Sequence, residues 1–510
     1  MSCRRIMILA LLFLWAVPVA AAPSPAVPLD SWVYPALDKL TGLGLISSSL
    51  QGDRPFSRAE VARQTIEAVE SGQDQSVPAI GRELVARLKK EFGQEIHEQR
   101  DGAEHAESYF KAVREMRFDY VFRDGADSSY PGTNARQFAL LSNRDGLDYG
   151  ENHNLEVSLA GDARWGKWLL ADWRPLLRAQ EDGNTGIRLL QGNVTLGLGP
   201  VELSAGRQSL WWGQGRNGSL VLTNNADPLD MIRLTNPTPV ILPWIFKYLG
   251  EFRFDLFTAR LDDDRDVAEP YFGGLRIGIK PTSWLELGLC RTVMFGGEGR
   301  PGVDFDDFLT IVGGENLSGN EDTSNSVAAI DVRIKLPFLW NAELYGELGG
   351  EDQADFAGFL PFFSKKAYLA GLYLPQIDPS GRLSLRLEYA DTGMDTNIWY
   401  RHGIYTSGYT YQQKIMGHAM GGTAEDYFAE LEAYLPHGLR MALSLDHQRR
   451  SIGSAVSEKH YQPALAVEWQ CSPQLALRFD YAFDHVENFA YQSGDSRNLH
   501  MANAGVNWTW

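Results

Sequence analysis

Beyond Glu115 the chain holds a period of two almost to its last residue, and a chain that does so for this long can fold only as a large β protein. Met116, Phe118, Tyr120 and Phe122 alternate with Arg117, Asp119 and Arg123. Leu383, Leu385, Leu387 and Tyr389 alternate with Ser384, Arg386 and Glu388, and Leu475, Leu477, Phe479, Tyr481 and Phe483 with Ala476, Arg478, Asp480 and Asp484. Counting a weaker candidate at 134–142, the sequence predicts about 18 strands, with a strand missing or split in 124–133 and 208–250. Alternation alone does not separate a soluble sandwich from a membrane barrel, because both have one apolar and one polar face.

Loop lengths separate them. From residue 281 onward short connections (281–283, 337–340, 375–381, 436–438, 471–473) alternate with long ones (294–326, 350–366, 392–425, 449–462, 485–499). Tight turns on one side and long loops on the other are the pattern of an all-β transmembrane barrel of antiparallel strands, with the turns periplasmic. The last strand, Met501 to Trp510, follows a long loop and so descends to the periplasmic side, ending with Trp508 and Trp510 on one face. Mean hydropathy is −0.26, and no helical span is expected.

The N-terminus reads differently. Arg4 and Arg5, an apolar core from Ile6 to Val17 and the small residues Val19-Ala20-Ala21 make a signal peptide over 1–21, which directs the chain out of the cytoplasm. Residues 22–115 carry helical spacing and are expected to form a small periplasmic α-helical segment ahead of a barrel over 116–510. Val33, Leu37 and Leu40 form one stripe; Ala62, Ile66 and Val69 a second; Leu84, Leu88, Phe92 and Ile96 a third. Ser57-Arg58-Ala59-Glu60 reads as a capping box. Gly72 to Val77 reads as a polar connector.

Charge and cysteine content narrow the function. Forty-seven basic and 65 acidic residues give −18, so nucleic acid is excluded as a partner. Once Cys3 leaves with the leader, Cys290 and Cys471 are the two thiols, and sequence does not decide whether they pair. No Cys/His cluster has metal-ligand spacing, and no cofactor is implied. No HExxH or GxSxG motif is present. His153, His402, His418 and His485 fall in loops or strand ends, where solvated residues are the simpler reading. Asp262-Asp263-Asp264-Arg265-Asp266 reads as a solvated acidic loop rather than a calcium loop.

One stretch is not a plain strand: Gly206-Arg207-Gln208-Ser209-Leu210-Trp211-Trp212-Gly213-Gln214-Gly215-Arg216-Asn217-Gly218-Ser219-Leu220, continuing to Thr223-Asn224-Asn225-Ala226-Asp227-Pro228. Its glycines permit tight backbone paths. Arg207, Trp211, Trp212, Arg216, Asn217, Asn224 and Asn225 are the residue types of a polysaccharide platform, rings on sugar faces and amides on hydroxyls, or of a segment braced inside a barrel. The Gly-Arg-Gln, Trp-Gly-x-Gly, Gly-Ser-Leu and Asn-Asn-Ala-x-Pro elements resemble the central signature of the capsule-assembly Wzi family of outer-membrane proteins. Gln214, where Pro is expected in many relatives, and Asp227 depart from it. The resemblance covers about 116–510 and implies an 18-stranded outer-membrane barrel with periplasmic helices. It implies a non-enzymatic role in which capsular or exopolysaccharide is bound at the surface. A porin for sugars or anions is the competing reading. Outer-membrane lipid is the other partner of such a barrel.

Trp32-Val33-Tyr34, Leu37, Leu40, Gly42 to Ile46 and Pro55 to Glu60 resemble a single surface-layer-homology repeat. That resemblance implies contact with peptidoglycan or another cell-wall polymer; packing of the helices is the alternative.

Overall fold

A computed structural model describes residues 22–72, 77–102, 106–300, 324–351, 365–394 and 399–510, with the backbone of Ala354–Ala357 and Leu360–Phe363. The expected leader, residues 73–76 of the connector and residues 301–323 of the loop at 294–326 lie outside the described residues.

Among the described residues four helices come first: α1 (Val33–Gly42), α2 (Arg58–Ser71), α3 (Ala79–Glu91) and α4 (Gly93–Asp101). Val33, Leu37, Leu40, Leu84, Leu88, Phe92 and Ile96 fill their common core. In α2 the buried stripe runs through Val61, Ala62, Thr65 and Ala68, while Ile66 and Val69 are half-buried, because α2 packs against both α3 and α4. The capping box is half made. Ser57 Oγ accepts the Glu60 N–H at 3.1 Å, but the Glu60 carboxylate takes Arg63 and Gln64 instead of returning to the cap.

The wall begins at Tyr109 rather than Met116. Its first half is β1 (Tyr109–Asp124), β2 (Asn152–Trp165), β3 (Leu169–Gln180), β4 (Thr185–Leu198), β5 (Val201–Gln208), β6 (Leu229–Thr235), β7 (Glu251–Arg260), β8 (Tyr271–Thr282) and β9 (Leu285–Phe295). Its second half is β10 (Ser324–Leu336), β11 (Ala342–Glu351), β12 (Lys366–Leu374), β13 (Leu383–Asp391), β14 (Ala424–Leu435), β15 (Leu439–Arg450), β16 (Glu458–Gln470), β17 (Leu475–Glu487) and β18 (Ser496–Thr509). Each pairs antiparallel with its neighbours, and β1 closes on β18 from Glu115–Thr509 to Asp124–His500. A register shift between Lys111 and Glu115 hides the start of β1 from a period-two reading.

Two strand assignments change. The candidate at 134–142 is no wall strand: Arg136–Gln137 pairs with Ser128–Ser129 in a small hairpin, and a 3-10 turn follows over Ala139–Leu141. The strand lacking in 208–250 is β6. It turns Leu229 and Met231 inward beside outward-facing Ile232 and Leu234, so both faces are apolar and the alternation vanishes.

The wall is inverted relative to a soluble protein. Leu344, Leu387, Leu431, Leu443 and Phe479 are exposed outside; Glu347, Arg386, Glu388 and Asp480 are buried inside. Trp165, Trp168, Trp284, Trp340, Trp469 and Trp508 are exposed along the turn side, and Tyr427, His447, Tyr461 and His485 stack across neighbouring strands towards the loop side. An apolar belt between two aromatic girdles is the surface of an outer-membrane barrel. Cys290 is buried in the wall, Cys471 is exposed in a turn, and both are free.

Candidate luminal and glycan-binding site

After Gln208 the chain leaves the wall, and it re-enters at Leu229. Trp211–Trp212 forms a two-stranded antiparallel piece with Asp53–Arg54, register Arg54–Trp211 and Asp53–Trp212, and the Gly213 N–H donates to the Gly52 carbonyl at 2.9 Å. The N-terminal segment thus enters the barrel and meets the signature inside it.

Carboxylates from the wall hold this junction by its backbone. Glu347 on β11 accepts Gln214 N–H (2.7 Å) and Gly215 N–H (3.1 Å) on one oxygen, Leu220 N–H (2.9 Å) and Ser219 O–H (3.0 Å) on the other. Glu388 on β13 accepts Arg216 and Asn217 N–H at 2.6 and 2.9 Å. Glu286 on β9 accepts Gln51 and Gly52 N–H at 3.0 and 2.9 Å. Gln214 is fully engaged: its amide donates to Glu286 and Asp331, and its carbonyl accepts Arg333 Nε at 2.8 Å. Gly213 has φ +138°, and a Cβ there would lie 2.3 Å from the Glu347 carboxylate, so only glycine fits.

The loop side is closed by 399–423. Tyr400 and Tyr409 donate their hydroxyls to the carbonyls of Leu220 and Val221 at 2.6 and 2.9 Å, and Thr223 donates to Gly417 at 2.7 Å. Trp399, Tyr400, Tyr405, Tyr409 and Tyr411 are all buried, so the aromatics of this loop face the plug, not the exterior. The acidic loop binds this lid: Asp262 accepts Gln412 N–H, and Arg265 donates to the carbonyls of Thr410 and Gly408. Among the described residues no group of three His, Cys, Asp or Glu is arranged to hold a metal ion.

The seven signature residues separate into three environments. Trp212 is fully buried against Phe257, ring centroids 5.3 Å apart. Asn225 is used up by Gln137, Ile415 and Asn143. Both brace the plug. Arg207 is not in the lumen at all. Strand parity turns it outward, where it pairs with exposed Asp230. Trp211, Arg216, Asn217 and Asn224 converge on one polar luminal cavity of about 480 Å³ between the plug and the β1–β4 and β14–β18 walls. Asn217 donates to Asp446 at 3.0 Å and Asn224 to Asp145 at 3.2 Å.

At the turn side the helices dock on the barrel mouth through ions. Asp38 bridges Arg54 and Arg386 (3.1 and 3.2 Å), and Asp30 pairs with Arg117. Burial alone would raise both carboxyls, but those arginines hold each below the usual range. Lys39 donates to the carbonyls of Pro375 and Leu383; burial pushes its ammonium down to about 8, against Glu432 and Asp378. Residues resembling a surface-layer repeat are occupied here: Val33, Leu37 and Leu40 are core, and Trp32 bonds Glu91 under Arg87.

The sequence reading missed Gln51–Arg54, Glu286, Glu347 and Glu388. The three glutamates occupy inward positions on β9, β11 and β13, and that regular spacing of acids on one luminal wall was the available signal.

The family profile described as capsule assembly protein Wzi matches residues 128–501. An uncharacterized 55.8 kDa protein in the cps region of Klebsiella pneumoniae is 31% identical over 176 residues, so the match spans only about a third of either chain. The solved structure of Wzi, an Escherichia coli outer-membrane protein described as a carbohydrate-binding β-barrel involved in group 1 capsule assembly, superposes with a TM-score of 0.73. It is 21% identical and covers 96% of this chain and 100% of its own.

Proposed function

The chain belongs to the capsule assembly protein Wzi family, and from that premise we propose that it is a non-catalytic outer-membrane barrel that binds surface polysaccharide and supports capsule or exopolysaccharide assembly. The observation that carries this reading is the junction of Asp53–Arg54 with Trp211–Trp212 inside the lumen, under a lid of buried tyrosines. A porin needs a continuous aqueous path, and this junction stands across it. The leader over 1–21 exports the chain, the helices over the following residues to about 108 sit in the periplasm, and the belt faces outer-membrane lipid. Contact with peptidoglycan falls to the exposed Arg82, Lys89 and Lys90 of α3, since the repeat-like residues are buried in packing.

Two measurements on one preparation test this. Protein in nanodiscs should co-sediment with the host's own purified surface polysaccharide, and planar bilayers should stay silent. Large steady channels without polysaccharide binding would establish the porin instead.

A further inference from the structure

The cavity under the signature opens towards the side opposite the cell surface. Its lower end is lined by exposed Pro473 and Gln474 in the turn between β16 and β17, and its upper end by Ser142, Asn143, Arg144, Asp145 and Leu147. At about 480 Å³ it lies within the range of small-ligand pockets, about 300–1,000 Å³. It is too small for a polymer in transit and suits a short oligosaccharide.

Its charges are not evenly satisfied. Arg117 sits on Asp30, Arg174 on Glu115, Arg440 on Glu432, and Arg54, Arg87, Arg144 and Arg478, which line the same cavity, are likewise paired. Arg216 is the exception. Its backbone N–H is fixed by Glu388, while its guanidinium lines the cavity with no carboxylate within 4 Å among the described residues. The neighbouring carboxylates of Asp38 and Glu432 lie beyond ion-pair distance and are already engaged by Arg54, Arg386 and Arg440, so this half-enclosed cation has no carboxylate in direct contact, and an anionic ligand there offsets the cost. Hydroxyl and amide groups of Ser209, Asn224 and Asn507 line the same cavity, as does Trp211. Glu430 lines the same cavity and also has no ion-pair partner among the described residues.

We propose that this cavity binds, from the periplasmic side, a short oligosaccharide carrying a carboxylate, which pairs with Arg216 while its hydroxyls meet the surrounding amides. The inference rests on the carbohydrate-binding reading and adds a second, periplasm-facing subsite to it. Carboxylate-bearing sugars have two sources on that side, the uronic acids of an exported polysaccharide and the muramic acid of cell-wall glycan.

The test is calorimetric titration of the full chain in nanodiscs with a glucuronate–N-acetylglucosamine disaccharide, an N-acetylglucosamine–N-acetylmuramate disaccharide and neutral diacetylchitobiose. One acidic disaccharide should bind and the neutral one should not; which acidic one binds identifies the source. Arg216→Ala should weaken that binding by about 10- to 100-fold, the worth of one charge-assisted pair, with Arg216→Lys between. Heat-modifiability on gels should be unchanged. Glu430→Gln, which removes a like charge, should tighten it. That variant decides the matter if Arg216→Ala fails to assemble, and unchanged affinity there overturns the proposal. Equal binding of acidic and neutral sugars, no binding of either, or binding indifferent to Arg216 also overturns it. Co-sedimentation of intact polysaccharide with the same wild-type preparation keeps the two readings apart. Polymer bound without disaccharide binding sinks only this inference; polymer not bound sinks the proposed function.

Discussion

Glu347 is the residue on which the plug most depends, and its removal should open the barrel without unfolding it. One carboxylate accepts three backbone N–H groups and the Ser219 hydroxyl, all buried. Glu347→Ala leaves three buried amides without an acceptor, each worth roughly 1–3 kcal/mol, or about 3–9 kcal/mol before relaxation. Water entering the vacated space recovers part of this, so about 3–5 kcal/mol is the realistic cost. The wall does not share that loss, because the ladder pairing β11 with β10 and β12 is backbone to backbone. The segment 213–220 should therefore detach while β1–β18 stay closed. Planar bilayers should then show channels that wild type lacks, and heat-modifiability should persist. Glu347→Gln, which keeps one acceptor oxygen but turns an amide towards donors, should give rarer openings. A folded, silent Glu347→Ala protein with unchanged stability would refute the assignment of the plug's hold to this carboxylate.

Three further outcomes are expected. Trp212→Ala should lower the heat-modifiability midpoint strongly, since truncating a packed tryptophan costs roughly 3–5 kcal/mol, whereas Trp211→Ala should cost less stability and more glycan retention. Equal effects on both readouts would mean that the two rings share one role. Deleting Trp508 to Trp510 removes the Met116–Trp508 pairing and the Trp510 N–H bond to Arg114, and should reduce assembled protein in the outer membrane; normal levels would refute a closing role for this end. Lys39 is near 8 when docked against an ordinary 10.5, so docking releases a proton between those values, and helix attachment should strengthen as pH rises from about 8 to 10.5, by at most about 3 kcal/mol. Proteolytic release of the helices should slow over that range in wild type but not in Lys39→Met.

What was legible in the sequence is what the membrane itself imposes. Lipid requires apolar side chains outside and the lumen tolerates charge, so every regular wall strand carries a period-two signature, and Leu383 to Tyr389 is readable at sight. The signal failed where the lumen is dry. β6 runs beside Phe257 of β7, which packs on Trp212 of the plug, and Leu229 and Met231 join that apolar cluster on the side that should be polar. It failed again where the chain is irregular. The contacts of Gln214 with Glu286, Asp331 and Arg333 join residues more than 70 positions apart, and nothing local marks an inward glutamate as a plug holder rather than a solvated luminal side chain. Arg207 lies close to Trp211 in sequence, yet strand parity puts it on the other side of the wall.

The same geometry explains why one short segment can both brace and bind. Buried carboxylates contribute little net stability when satisfied but impose a large penalty when a partner is lost, so they fix position more than they add strength. Here Glu347 and Glu388 grip main-chain N–H groups of 214–217 and 220, which any residue but proline supplies. A proline at 214, as expected in relatives, would forfeit one such bond, and Gln214 adds three side-chain contacts in its place. Because the grip is on the backbone, the guanidinium of Arg216 is not needed for bracing. It is held in a fixed turn yet left facing the cavity, the condition under which a side chain can change its ligand preference without unseating the plug.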